Sequence, residues 1–148
     1  KPDKWVILLA LTSNPGAADF QLLSVEKSAD PEVQTYLFEE VLEKSQAWAS
    51  ADQLMFVVGA TRTDYIQRVR RKIPDHFLLV PGVGAQGGSL EEISRLALNK
   101  TGGLLVNSSR NIIYADSGQD FAAQARAEAQ RLQQEMAAYL QQYLPASS

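Results

Sequence analysis

Four short stretches constrain the fold most. Residues 5–11 (WVILLAL), 54–58 (LMFVV), 77–80 (FLLV) and 104–106 (LLV) are apolar at every position. A strand with one face in water alternates apolar and polar residues. Unbroken apolar runs of this length predict strands buried on both faces, as in parallel α/β sheets. Each run is followed by a turn signal: Ser13-Asn14-Pro15-Gly16, Gly59-Ala60-Thr61, Pro81-Gly82-Val83-Gly84 and Asn107-Ser108-Ser109.

Helical patterns fill the gaps. Asp30-Pro31 supply an N-cap and a first-turn proline for a helix reaching about Ala49, with Val33, Leu37, Val41 and Trp48 on one face. Thr63 is placed to cap a helix carrying Tyr65, Ile66 and Val69. Ser89 and Glu92 form an S-x-x-E box ahead of Ile93, Leu96 and Ala97. Ser117 opens the last helix, in which Phe121, Ala125, Leu132, Met136, Tyr139 and Tyr143 make one apolar stripe for the core. The order β-α-β-α-β-α-β-α, with no internal linker, fits an open Rossmann-like sheet or half of a (β/α)8 barrel.

The chain has 148 residues, enough for one domain with a real core. Its net charge of −3 argues against a nucleic-acid partner, which needs a basic field, but leaves room for a local anion site. The absence of cysteine excludes disulfides, thiolate metal sites and thiol nucleophiles. The apolar run at 5–11 is too short to span a bilayer, and no basic-then-apolar leader is present. A cytoplasmic protein with no membrane partner is the expectation. Lys1-Pro2-Asp3-Lys4 lead almost at once into a strand, as though a preceding segment were missing.

In both architectures the working face lies at the C-terminal ends of the strands. There the sequence places glycines, hydroxyls, amides and arginines, which offer backbone N–H groups, neutral donors and fixed positive charge. Phosphate suits that chemistry. Gly82, Gly84, Gly87 and Gly88 let the third loop turn tightly and approach a ligand without a Cβ in the way. The loop feeds the helix capped by Ser89, and Arg110 follows the next strand. A guanidinium can grip phosphate through two parallel hydrogen bonds.

Other features read as structural. Arg62 and the run Arg68-Val69-Arg70-Arg71-Lys72 suit a solvated helix face. His76, the only histidine, suits a structural or exposed role. One histidine and no cysteine leave no metal constellation. Ser13, Ser108 and Ser109 sit in no G-x-S-x-G elbow. Gly82-x-Gly84-x-x-Gly87 matches the dinucleotide fingerprint, and Ser/Arg after the next strand suits the 2′-phosphate of NADP. Another phosphate-binding α/β enzyme, or an NADP-binding one, is therefore an alternative.

Taken together, Leu11-Thr12-Ser13-Asn14-Pro15-Gly16, Val58-Gly59-Ala60-Thr61-Arg62, Leu79-Val80-Pro81-Gly82-Val83-Gly84-Ala85-Gln86-Gly87-Gly88 and Asn107-Ser108-Ser109-Arg110-Asn111-Ile112-Ile113-Tyr114 resemble the orotidine 5′-monophosphate decarboxylase family, in its longer bacterial branch. The resemblance covers nearly the whole chain. It implies a (β/α)8 barrel, of which residues 1–148 supply strands five to eight as the C-terminal half of one domain. It also implies a homodimer without cofactor or metal that converts orotidine 5′-monophosphate to UMP and CO₂. By the same likeness Ser13 would bind the pyrimidine edge and Pro81 would line the base pocket. Gln86 and Arg110 would hold phosphate, assisted by backbone N–H groups around Gly84 and Ser109.

The family's catalytic Asp-x-Lys-x-x-Asp segment has no counterpart here. The lysines stand at 1, 4, 27, 44, 72 and 100, and none has Asp two residues before it. Lys27–Asp30 and Lys72–Asp75 match only the second half of the pattern. The catalytic residues are thus expected on an N-terminal half-barrel that this sequence lacks, with the chain alone inactive. A non-catalytic nucleotide-binding half-barrel is the remaining alternative.

Overall fold

A computed structural model describes residues 3–26, 34–84 and 87–144 of the chain. The elements run β1 (Val6–Leu11), α1 (Ala17–Phe20), β2 (Ser24–Val25), β3 (Thr35–Tyr36), α2 (Leu37–Ser45), β4 (Leu54–Val58), α3 (Thr63–Lys72), β5 (Leu78–Pro81), α4 (Leu90–Ala97), β6 (Leu104–Asn107), α5 (Ser109–Ile113) and α6 (Phe121–Tyr143). The four apolar runs become β1, β4, β5 and β6, which form a parallel sheet in chain order. β2 and β3 make a small antiparallel pair in the long β1–α2 connection.

Two lateral rows of side chains show what the sheet is for. Leu8, Phe56, Leu78 and Leu104 lie side by side across the four strands. Phe56, Leu78 and Leu104 are buried, and their cluster includes Phe38 and Leu42 of α2, Ile66 and Val69 of α3, and Ile93 and Ala97 of α4. Full burial of each such side chain is worth roughly 1.5–3 kcal/mol. The next row, Leu9, Val57, Leu79 and Leu105, faces the other way. Leu9 is 56% exposed and Leu105 42%.

The helices therefore cover one face only, and the expectation of strands buried on both faces is corrected. The second face is equally apolar but open. A doubly wound sheet carries helices on both faces and reverses its strand order at a switch point. This sheet does neither, so its arrangement is that of a barrel wall.

The helix boundaries also differ from expectation. Asp30, Pro31 and Val33 lie outside the described residues. The described helix starts only at Leu37 and ends at Ser45. At its start the Glu39 carboxylate accepts from the Tyr36 backbone N–H at 2.9 Å. Its buried face is Phe38, Leu42 and Ser45, one position on from Leu37 and Val41; Trp48 lies beyond the helix and is 72% exposed. Thr63 is the first residue of α3, and no side-chain cap closes that end. Ser89 does cap α4, its Oγ accepting from the Glu92 N–H at 3.2 Å. The last helix begins at Phe121, because Gly118 turns the chain and accepts from the Phe121 N–H. None of its residues is fully buried; Leu132, Met136 and Tyr139 pack against the core from outside.

The basic run of α3 is not simply a solvated face. Arg68 makes two hydrogen bonds to the buried Glu39 carboxylate, at 3.0 and 2.7 Å, and lies over the Tyr36 ring. Arg70 reaches below the sheet. It donates to the carbonyls of Ala97 (2.7 Å), His76 (2.6 Å), Gly103 (2.9 Å) and Ile73 (3.3 Å). A run of like charges suggested solvent, but all four Arg70 acceptors are backbone carbonyls, which no residue pattern reveals. His76 is buried, with its ring against Phe56 and neither nitrogen hydrogen-bonded.

Candidate functional site

The C-terminal ends of the four strands bring their loops together at the end of the sheet opposite Arg70. Between the last two loops lies a cavity of about 160 Å³, lined by Pro81, Gly82, Val83, Asn107, Ser108, Ser109 and Arg110. Pro81 and Asn107 are register partners at the ends of β5 and β6, which fixes the two walls against each other. The buried Ser108 hydroxyl donates to the Val83 carbonyl at 3.0 Å and ties the loops above that level. Sequence reasoning gave Ser108 no part in this. Its signal, a hydroxyl at the end of a strand, is too common to carry one.

The expected site residues do not all fall together. Pro81, Ser109 and Arg110 line the one cavity. Arg110 is exposed, and among the described residues its guanidinium has no protein hydrogen-bond partner. Ser109 Oγ donates to Asn107 Oδ1 at 2.7 Å, which leaves its backbone N–H, at the start of α5, as its free donor. Gly84 sits above, at φ +77°, with the Asn111 side chain packed where a Cβ would stand. Its N–H is engaged with the Gly88 carbonyl at 2.9 Å, so it is not free in this loop conformation. Gln86 lies outside the described residues.

Ser13 stands apart from that cavity, at the end of β1. Its Oγ is buried and has no hydrogen-bond partner. Leaving such a hydroxyl unpaired costs about 1–3 kcal/mol. Gly59, at the end of β4, makes the seat: a Cβ there would come within 2.1 Å of Ser13 Oγ. Arg62, read from the sequence as solvated, instead donates through Nε to the Thr12 carbonyl at 2.9 Å. Thr12 N–H donates in turn to Gln21 Oε1 at 2.8 Å.

The chemistry of this end is one of neutral donors, backbone amides and a single unpaired cation on a chain of net charge −3. It can grip an anion and orient a polar ring. The described residues include no group of three or more His, Asp or Glu placed to hold a metal ion. No described helix is long and apolar enough to cross a membrane.

No family model matches the chain. Among curated proteins, orotidine 5′-phosphate decarboxylase of Bacteroides fragilis is 55% identical over 141 residues, which are 95% of this chain and 49% of that protein. The Flavobacterium johnsoniae enzyme is 53% identical over 135 residues, 91% of this chain and 47% of its own length. Among solved structures, Leishmania donovani UMP synthase superposes with a TM-score of 0.71 at 35% identity, over 91% of this chain and 28% of that one. Leishmania donovani OMP decarboxylase gives 0.69 at 31% identity, over 91% and 49%. The chain spans about half the length of the curated relatives it matches. With one-sided helix cover, monotonic strand order and this degree of identity, the chain belongs to the orotidine 5′-phosphate decarboxylase family and carries four βα units of its (β/α)8 barrel.

Proposed function

We propose that this chain is the C-terminal, nucleotide-gripping half of an orotidine 5′-monophosphate decarboxylase, the enzyme that forms UMP in pyrimidine biosynthesis. The observation that carries the reading is the cavity between the last two βα loops, with the unpaired Arg110 at its rim. Phosphate between those loops is a recurrent arrangement in (β/α)8 enzymes. Arg110 and Gln86 hold the phosphate, with the Ser109 N–H beside them and the Gly84 N–H recruited when its bond to Gly88 opens. Pro81 lines the base pocket and Ser13 meets the ring edge.

The lysine that stabilises and protonates the carbon losing CO₂ belongs to strands one to four, along with its carboxylate partners. The binding energy of the remote phosphate can still lower the barrier by organising the site. That is the contribution of this half, and no cofactor enters it. The complementary half-barrel covers the open apolar row, the complete enzyme is a homodimer, and the location is cytoplasmic. Residues 1–148 act as part of one domain.

Titration with UMP tests the reading. Arg110→Ala should weaken UMP by roughly tenfold or more, since a charge-assisted hydrogen bond contributes about 1.5–3 kcal/mol. Unchanged affinity removes Arg110 from the site. Saturable NADPH binding without UMP binding overturns the proposal in favour of a dinucleotide enzyme.

A further inference from the structure

The segment Gly59-Ala60-Thr61-Arg62 does more than leave β4 for α3. Gly59 N–H donates to the Leu11 carbonyl at 2.9 Å, which holds β4 to the last residue of β1. Its missing Cβ is the space that Ser13 Oγ occupies. Two carbonyls flank Ser13, those of Thr12 and Asn14, and Arg62 reaches both. Nε meets Thr12 O at 2.9 Å, and Nη2 meets Asn14 O at 3.5 Å, the outer limit of a hydrogen bond. Ala60 N–H donates to the Pro81 carbonyl at 3.0 Å, so the same segment is pinned to the strand that leads into the cavity.

We infer that Arg62 is a positioning residue: by holding the carbonyls on either side of Ser13 it fixes the turn that carries Ser13 to the base of the nucleotide. The inference deepens the proposed function and rests on its placement of Ser13. The planar guanidinium suits the task because its donors diverge in a fixed fork, where a lysine ammonium is a point charge on a flexible stem. Arg62 is not among the residues that line the phosphate cavity. Its effect should therefore appear only with ligands that carry a base.

The test uses the full chain with two probes, UMP and ribose 5-phosphate, and the variants Ser13→Ala, Arg62→Ala, Arg62→Lys and the double alanine. Ser13→Ala and Arg62→Ala should each weaken UMP by about tenfold, the worth of one hydrogen bond to a buried group. The double variant should be no weaker than the worse single, because both remove one contact. Arg62→Lys should fall between wild type and Arg62→Ala, and ribose 5-phosphate affinity should not move. Amide exchange should accelerate at Ala17, whose N–H donates to the Asn14 carbonyl at 3.1 Å, in Arg62→Ala, and stay unchanged within β5.

A loss of UMP affinity in Ser13→Ala without one in Arg62→Ala overturns the positioning role alone. Equal loss for both ligands, additive losses in the double variant, or unchanged exchange at Ala17 overturns it too. No UMP binding by the wild-type chain sinks the proposed function on which this inference rests; unchanged affinity in Ser13→Ala sinks only the placement of Ser13 and, with it, this inference.

Discussion

Arg70 lies beneath the sheet and joins two successive connections, α3–β5 and α4–β6. Its four carbonyl acceptors end α3, end α4, precede β5 and precede β6. Burial is the main reason that its pKa is pushed down to about 10, with Asp75 opposing. It is therefore still charged at neutral pH. Arg70→Met fills part of the volume but leaves those carbonyls without donors, at roughly 1–3 kcal/mol for each buried group stranded. We expect a urea-unfolding midpoint clearly below wild type, while Arg71→Met, at an exposed position, stays close to it. Equal midpoints for the two would show that the clamp contributes nothing. Beside Arg70, His76 is held below its ordinary 6.5, first by burial and then by Arg70, against the pull of Asp75. The folded chain favours the neutral ring, and the unfolded chain takes up its proton at higher pH. The contribution to stability is thus present above 6.5 and is lost as pH falls below it. His76→Phe should flatten the fall in unfolding midpoint between about pH 7 and 5; an unchanged slope would clear His76 of the effect.

Helix α6 is held to the core by one face alone. It runs from Phe121 to Tyr143 without one fully buried residue, and a cavity of about 420 Å³ lies between its Leu132, Met136 and Leu140 and the residues Leu104, Leu105 and Val106 of β6. Residues 121–128 should exchange their amides faster than β4 and β5, whose inward side chains are fully buried. Protection equal to that of β4 would contradict this. The apolar stripe of α6 was legible in the sequence, but periodicity shows only that a face is apolar, not what covers it. The four strands were legible to within about a residue, because an unbroken apolar run admits few alternatives. The β1–α2 connection was not. Its short β2–β3 pair is two residues deep on each side, and its register depends on Gln21 and Leu23 accepting from Phe38 and Leu37. The loops that meet at the candidate site could be read as phosphate-binding chemistry. The role of Arg62 could not, since its acceptors are carbonyls some fifty positions away.

At the scale of the molecule, the open row Leu9, Val57, Leu79 and Leu105 and the two parallel edges, β1 and β6, which have no partner strand among the described residues, pose one problem. A sheet with exposed edges and an apolar face is a template for association. Eight-stranded closure removes both edges and fills the interior with side chains. Relatives of about twice this length carry the sequence to do so within one chain. The measurement to make is orotidine 5′-monophosphate decarboxylation by the pure 148-residue chain, its intact mass checked first, with and without a separately made half-barrel carrying strands one to four. The account predicts no turnover by the chain alone and turnover when the two halves are combined. Turnover by the isolated chain would contradict it, because the catalytic lysine would then lie among the six lysines present here, none of which stands in the required pattern.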